Sequence, residues 1–217
     1  MPSWGIHLMT ANDIIKQIDV KNTNEFLIGN FLPDILNGYA IKNPSQVIPY
    51  NESHYFLPNE ERFLNLPKIP NPDTFLEVYE DKLPEPIVLG SYIHLLTDVF
   101  WNTTVINKYL QMGIDYPSQK LKQLDFINFG NYLINRSPII EPFYEETLVS
   151  KANLVMPLTD SDLKQTIDFI NEDRSDRTKG LEDEYRLFPK PELLEIHNDC
   201  VKYIIKHLDE LKVGGKL

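Results

Sequence analysis

Residues 92–101 read YIHLLTDVFW, a stretch apolar enough to be a buried helix that nevertheless carries His94 and Asp98. On a helical period of 3.6 residues, these two polar residues share one stripe with Gly90, and aliphatic and aromatic residues flank that stripe on both sides. The pattern predicts a helix over residues 86–112 whose polar pair lies beside the hydrophobic core.

The rest of the chain has the same helical character. Apolar residues recur mainly at three- and four-residue spacing, and 16 prolines against 9 glycines punctuate the 217 residues, which predicts an all-α, single-domain multi-helix bundle over residues 1–217. Residues 34–55 form a predicted loop, long enough to carry function. The other predicted helices cover residues 10–18, with Thr10 as N-cap, and residues 24–30, 59–66, 72–80, 117–135, 138–149, 161–171 and 191–211.

Composition narrows the classes of partner and compartment. The 21 basic and 32 acidic residues give a net charge of −11, which repels polyphosphates, so no nucleic acid polymer is expected as a partner. The single cysteine, Cys200, excludes an internal disulfide and is predicted to be a buried, inert thiol. No run of 18 apolar residues and no signal-peptide pattern occurs, so we expect a cytoplasmic protein without a transmembrane segment.

An ionised Asp98 beside the core needs a partner, because a carboxylate taken out of water costs several kcal/mol when it is unpaired. No lysine or arginine occurs between Lys82 and Lys108, so a basic partner has to come from another helix. His94 lies one helical turn away and offers two alternatives, a direct hydrogen bond to Asp98 or a metal ion held by both side chains. The pair alone leaves these three possibilities open.

Three further polar residues have apolar neighbours. His7 and His54 are predicted to lie in irregular chain among aromatic and aliphatic residues, and Asp34 follows a predicted helix end in the apolar sequence IGNFLPDI. Each is a potential metal ligand, whereas His197 is interpreted as a surface or ordinary core histidine and His207 as a solvated one.

Four short motifs occur in a fixed order in the first half of the chain. The motifs are Trp4-x-x-His7, Gly29-Asn30-x-x-Pro33-Asp34, Ser53-His54-Tyr55 and His94-x-x-x-Asp98. Together they resemble the zinc-dependent phospholipase C family, which implies an all-α fold, zinc as cofactor, and hydrolysis of a small phosphoester or a phospholipid head group.

The resemblance also implies roles for individual residues. Asp34, His54, His94 and Asp98 would hold one zinc ion, with Asp98 bridging to a second ion. Asp34 would also act as the general base.

The resemblance implies that the second ion is held by His7 and by the amino and carbonyl groups of Trp4. Because residues 1–3 precede Trp4, its nitrogen lies in a peptide bond, and we expect at most one tightly bound zinc ion per chain. No histidine follows Asp98 until His197, so Asp125 is the nearest substitute for the missing ligands of the family's third ion.

Two hypotheses follow from the sequence. The leading one is a zinc-dependent phosphoester hydrolase of the phospholipase C type. The alternative is a non-catalytic helical protein in which a residual structural metal, or a network of histidine and aspartate side chains, only fixes the packing. The missing ligands for the third ion favour the alternative.

Overall fold

A computed structural model describes residues 2–38, 41, 43–56, 69–113, 119–173 and 184–215. These residues form helices and irregular connections, with no strand among them, so the predicted all-α fold class is confirmed. The helices are α1 (Trp4–Ile15), α2 (Thr23–Gly29), α3 (Leu32–Ile35), α4 (Tyr50–Ser53), α5 (Pro72–Tyr79), α6 (Pro86–Met112), α7 (Gln119–Arg136), α8 (Thr147–Ala152), α9 (Asp160–Asp173) and α10 (Lys190–Val213).

Helix α6 is the centre of the bundle, and its bounds are those that the sequence predicts. Pro86 occupies the first turn, where a missing N–H costs nothing, and Gly113 ends the helix with φ 61°, a left-handed conformation that favours glycine. Every residue from 86 to 98 is buried. Helices α1, α2, α3, α5 and α10 all pack against α6, which explains why its first half is apolar on every face.

Two glycines allow α2 and α6 to approach closely. A Cβ atom on Gly90 would lie 2.1 Å from the carbonyl oxygen of Phe26, and one on Gly29 would lie 2.2 Å from the carbonyl oxygen of Ile87. The hydroxyl of Ser91 donates a hydrogen bond of 3.0 Å to the carbonyl of Gly29 across the same crossing. The close approach brings the C-terminal end of α2 against the first two turns of α6.

A second close approach joins α1 to α7. A Cβ atom on Gly5 would lie 2.8 Å from the carbonyl carbon of Gly130. Beside it, the hydroxyl of Ser3 donates a 2.7 Å hydrogen bond to the carbonyl of Phe126. These contacts seat the first turns of α1 in the core.

The predicted start of the first helix at Thr10 is wrong, because α1 begins at Trp4. Thr10 lies in the middle of α1 and is fully buried, so it caps nothing. The side chains of Ile6 and Leu8 are buried in the bundle core, and this burial extends the helix towards the N-terminus past a residue that would favour a cap. His7 is therefore helical, where irregular chain is predicted.

The predicted helix over residues 138–149 is also wrong, because residues 138–145 are irregular and α8 begins only at Thr147. Asparagine side chains from α1 and α2 bind the main chain of this segment and take the place of helical hydrogen bonds. Asn12 bonds the N–H and C=O of Ile140 at 2.6 and 3.2 Å, and Asn24 bonds those of Phe143 at 3.0 and 3.0 Å.

The helices predicted over residues 24–30, 72–80 and 191–211 are confirmed, with each end displaced by at most two residues, and those predicted over residues 117–135 and 161–171 correspond to α7 and α9. The predicted start at residue 117 lies outside the described ranges. The predicted helix over residues 59–66 lies outside those ranges. The predicted loop over residues 34–55 contains the end of α3 and the whole of α4. None of the helices in the described part of the chain is both long enough and apolar enough to cross a bilayer.

Candidate metal centre

The structure brings together Asp34, His54, His94 and Asp98, which the sequence distributes over three motifs. Asp34 lies on α3, His54 directly follows α4, and the other two lie one turn apart on α6. All four side chains are buried, with at most 1% exposed. The Nε2 atom of His54 lies 3.2 Å from Nε2 of His94, 3.4 Å from Oδ2 of Asp98 and 3.5 Å from Oδ1 of Asp34, and Nε2 of His94 lies 3.9 Å from Oδ2 of Asp34.

These separations suit one zinc ion between Asp34, His54 and His94. Four ligand atoms placed about 2.0–2.2 Å from zinc at the corners of a tetrahedron lie about 3.3–3.6 Å from one another. The measured distances run from 3.2 to 3.9 Å. Two groups of three have ligand atoms that all lie within 4.8 Å of one another, Asp34 with His54 and His94, and His7 with His94 and Asp98. Imidazole and carboxylate are ligands that zinc accepts, so each group could hold a metal ion, and His94 belongs to both.

Main-chain contact fixes the tautomer of His94. Its Nδ1 atom lies 2.8 Å from the carbonyl oxygen of Asn30, and a carbonyl oxygen only accepts, so the proton of the ring is on Nδ1. The lone pair of Nε2 then points towards the other ligands. Metal-binding histidines generally donate their second ring nitrogen to a carbonyl or carboxylate in this way.

His54 has the same orientation. Its Nδ1 atom lies 2.9 Å from the hydroxyl of Ser53, and that hydroxyl also lies 3.4 Å from the carbonyl oxygen of Tyr50. The hydroxyl of Ser53 can donate or accept, so the ring proton of His54 can be on either nitrogen. Nε2 of His54 lies 3.2 Å from Nε2 of His94, where it donates a hydrogen bond in one tautomer and offers a second lone pair to a cation in the other. Burial lowers the pKa of His54 well below its usual range, so the ring is neutral.

Two donors hold the carboxylate of Asp34. The indole N–H of Trp4 donates to Oδ2 at 3.1 Å, and the side-chain amide of Asn37 donates to Oδ1 at 2.8 Å. Burial raises the pKa of Asp34 to about 6. Trp4 thus reaches the cluster through its side chain, where the family resemblance implies main-chain groups.

Asp98 turns its two oxygens towards different neighbours. Oδ2 accepts a 2.8 Å hydrogen bond from the hydroxyl of Tyr50, whereas Oδ1 faces His7. Burial alone would raise the pKa of Asp98, but the three surrounding histidines outweigh it and hold that pKa well below the usual range. Burial, Asp98 and Asp34 raise the pKa of Tyr50 well above its ordinary value, so its hydroxyl remains a donor.

His7 completes the cluster from α1. Its ring stacks on that of His94 with centroids 4.0 Å apart and planes inclined by 5°. Its Nε2 atom lies 3.5 Å from Oδ1 of Asp98, and within the described part of the chain neither ring nitrogen has a hydrogen-bond partner. Burial lowers the pKa of His7 to about 4. A neutral, unpartnered imidazole beside a free carboxylate oxygen could hold a second cation.

The structure does not bring Asp125, the expected substitute for a missing ligand, to this centre. Its carboxylate accepts three hydrogen bonds from consecutive main-chain N–H groups, those of Arg186, Leu187 and Phe188, at 2.8, 2.7 and 3.0 Å. Buried N–H groups need an acceptor, and Asp125 supplies one for the segment that leads into α10. Its ligand atoms are not among those that lie within 4.8 Å of one another at the centre.

We predict that Asp125→Asn lowers the free energy of unfolding by about 1.5–3 kcal/mol, the usual value of hydrogen bonds to a charged group. The amide keeps the shape of the side chain but replaces one acceptor with a donor that faces N–H groups. Urea unfolding measures the change. Metal content should stay at the wild-type level. Loss of bound metal in a folded Asp125→Asn protein would mean that Asp125 is a metal ligand.

The remaining histidines lie elsewhere. His197 is buried and its Nε2 atom lies 3.0 Å from Oδ2 of Asp13, so it is a paired core histidine. His207 is partly buried, not fully solvated as predicted, because its Nε2 atom lies 2.7 Å from the hydroxyl of Tyr92. Cys200 is buried, as predicted.

Sequence reasoning missed the residues that form hydrogen bonds with the clustered side chains. Asn30 acts through its carbonyl group, which carries no residue-specific signal. Tyr50 precedes His54 by four residues, a spacing that becomes informative only once α4 is known to be helical. Asn37 lies three residues after Asp34, and that short spacing is the one available hint of a side-chain hydrogen bond.

Comparison with known proteins assigns no family. No protein-family model, no curated protein and no solved structure matches this chain. The functional interpretation therefore depends on the geometry of the cluster and on the four motifs that carry it.

Proposed function

We propose that this protein is a zinc-dependent phosphoester hydrolase that acts on a small phosphoester or a phospholipid head group. The observation that carries the proposal is the convergence of Asp34, His54, His94 and Asp98. Nε2 of His54 and Nε2 of His94 lie 3.2 Å apart, and they lie 3.5 and 3.9 Å, respectively, from a carboxylate oxygen of Asp34. Such a group of buried nitrogen and oxygen atoms can bind one cation.

The protonation state of the cluster favours metal binding at neutral pH. Zinc binds neutral imidazole and ionised carboxylate, so protonated ligands must first release their protons. The lowered pKa values of His7 and His54 keep both rings neutral, and the lowered pKa of Asp98 keeps its carboxylate ionised. Few protons then compete with the ion.

In this proposal the metal ion and the clustered side chains have separate roles in hydrolysis. When bound, zinc lowers the pKa of a coordinated water to about 7 and neutralises charge on phosphoryl oxygens. Asp34 is the proton acceptor in this proposal, and Trp4 and Asn37 orient its carboxylate. The carbonyl of Asn30 keeps the proton of His94 on Nδ1 and leaves Nε2 free.

The test combines metal analysis with a hydrolysis assay. The purified protein, supplemented with zinc, is expected to hydrolyse bis(p-nitrophenyl) phosphate, to lose that activity on chelation, and to regain it when zinc returns. His207→Gln is a control, because His207 contacts Tyr92 and not the cluster, and it should keep wild-type activity. Zinc binding without turnover of this or any phospholipid head-group substrate would contradict the hydrolase.

A structural metal site is the second candidate, and the burial of the cluster favours it. Four protein ligands that are at most 1% exposed resemble a closed structural zinc site, whereas catalytic sites keep one position open for water. In that case zinc should raise the melting temperature of the protein without producing turnover. The same samples answer both questions.

A further inference from the structure

Tyr50 lies at the edge of the metal centre. It is the first residue of α4, and the main-chain N–H of His54 donates to its carbonyl at 3.1 Å, so the two side chains lie one turn apart. Tyr50 is half-buried, whereas the four ligands are fully buried. It therefore stands between the cluster and the outside of the protein.

The side chain of Tyr50 contacts two of the four candidate ligands, Asp98 and His54. Its hydroxyl donates the 2.8 Å hydrogen bond to Oδ2 of Asp98, and this is the only hydrogen bond that Asp98 receives from the part of the chain that the structure describes. Its ring lies against the ring of His54, with centroids 3.7 Å apart. No other side chain described here makes polar contact with Asp98 apart from the histidines.

The hydrogen bond from Tyr50 opposes a competing contact. Oδ1 of Asp98 lies 3.5 Å from Nε2 of His7, a little too far for a good hydrogen bond. A small rotation of the carboxylate would close that gap and carry Oδ2 away from His54. The hydroxyl of Tyr50 holds Oδ2 in place and so prevents the rotation.

We propose that Tyr50 is a positioning residue of the metal centre, which holds Oδ2 of Asp98 towards His54 and away from His7. The inference rests on the proposed zinc binding and adds a residue that the family resemblance does not assign. Partners that orient metal ligands typically change metal affinity by about 10- to 100-fold, and we expect an effect of that size from the loss of this one hydroxyl.

The experiment compares Tyr50→Phe with Tyr144→Phe. Tyr144 is a matched control because its hydroxyl also donates to a carboxylate, Oδ1 of Asp160, at 2.9 Å, away from the cluster. Zinc affinity is measured by competition with a chromophoric chelator, and the ligand geometry by the visible spectrum of the cobalt-substituted protein. We expect Tyr50→Phe to bind zinc about 10- to 100-fold more weakly, with an altered cobalt spectrum, and Tyr144→Phe to match the wild type.

Release of zinc into excess chelator is measured as well, starting from zinc-loaded protein. This second measurement needs no folded metal-free state, so it covers a variant whose metal-free form unfolds. A Tyr50→Phe protein with wild-type affinity, release rate and cobalt spectrum would overturn the role of Tyr50 while leaving zinc binding intact. A wild-type protein that binds neither zinc nor cobalt would overturn the metal centre itself, and this inference with it.

Discussion

Gly90→Ala is expected to destabilise the protein by about 3 kcal/mol or more, the upper end of the cost of overpacking a core. The new Cβ atom would lie 2.1 Å from the carbonyl oxygen of Phe26 and 2.8 Å from the main-chain nitrogen of Asn30. Both are backbone atoms, so no side-chain rotation relieves the clash and helices α2 and α6 must separate. Urea unfolding measures the loss of stability.

The separation of α2 from α6 should also reach the metal centre. The carbonyl of Asn30 lies at this crossing and fixes the tautomer of His94, so the fraction of Gly90→Ala that still folds should bind zinc more weakly. Gly214→Ala is the matched control, since its φ is −76° and its Cβ atom would meet nothing closer than 3.5 Å. We expect it to stay within about 0.5 kcal/mol of wild type. Equal unfolding midpoints for both variants would show that α2 and α6 are not packed so closely.

His94→Ala is expected to abolish tight zinc binding and to lower the free energy of unfolding by about 3–5 kcal/mol. The substitution removes one ligand, leaves the carbonyl of Asn30 without its donor, and takes away the ring on which His7 stacks. It also removes one of the three histidines that surround the buried carboxylate of Asp98. Thermal unfolding with and without zinc, together with metal analysis, measures both effects.

The control for this variant is His197→Ala, which removes another buried histidine with an aspartate partner, Asp13. It should lose stability through a cavity and the loss of one of the two partners of Asp13, which keeps its contact with Lys16, yet keep the full increase in melting temperature that zinc produces in the wild type. A His94→Ala protein that responds to zinc as the wild type does would mean that His94 is not a ligand.

The helices that could be predicted from the sequence are those whose ends carry local signals. Residues 86–112 have Pro86 at the start, Gly113 just past the end and apolar residues at helical spacing, and α6 has those bounds. These signals depend on residues that are close in sequence, so the bounds of the helix can be predicted without its tertiary contacts. The same reasoning placed both ends of α5 and α10 within two residues of their observed positions.

The failures are segments in which a distant part of the chain supplies the deciding contact. Residues 138–145 have a plausible helical pattern, but Asn12 and Asn24 bind their main chain from more than 100 positions away in sequence. The start of α1 depends on the burial of its first turns against α7, which overrides the capping preference of Thr10. No window of local sequence contains either contact.

The candidate ligands were recognisable because buried polar residues stand out among apolar neighbours, but that signal does not reveal what a residue contacts. Asp98 and Asp125 look alike in sequence, each an aspartate on the apolar face of a helix. Asp98 lies among three histidines, whereas Asp125 accepts hydrogen bonds from three main-chain N–H groups. The amino-acid pattern alone therefore determined the all-α class, helices such as α5, α6 and α10 whose ends carry local signals, and several of the polar residues that are buried. Which of those groups meet is decided by the crossing of α2 and α6, where two glycines permit an approach that any Cβ atom would block.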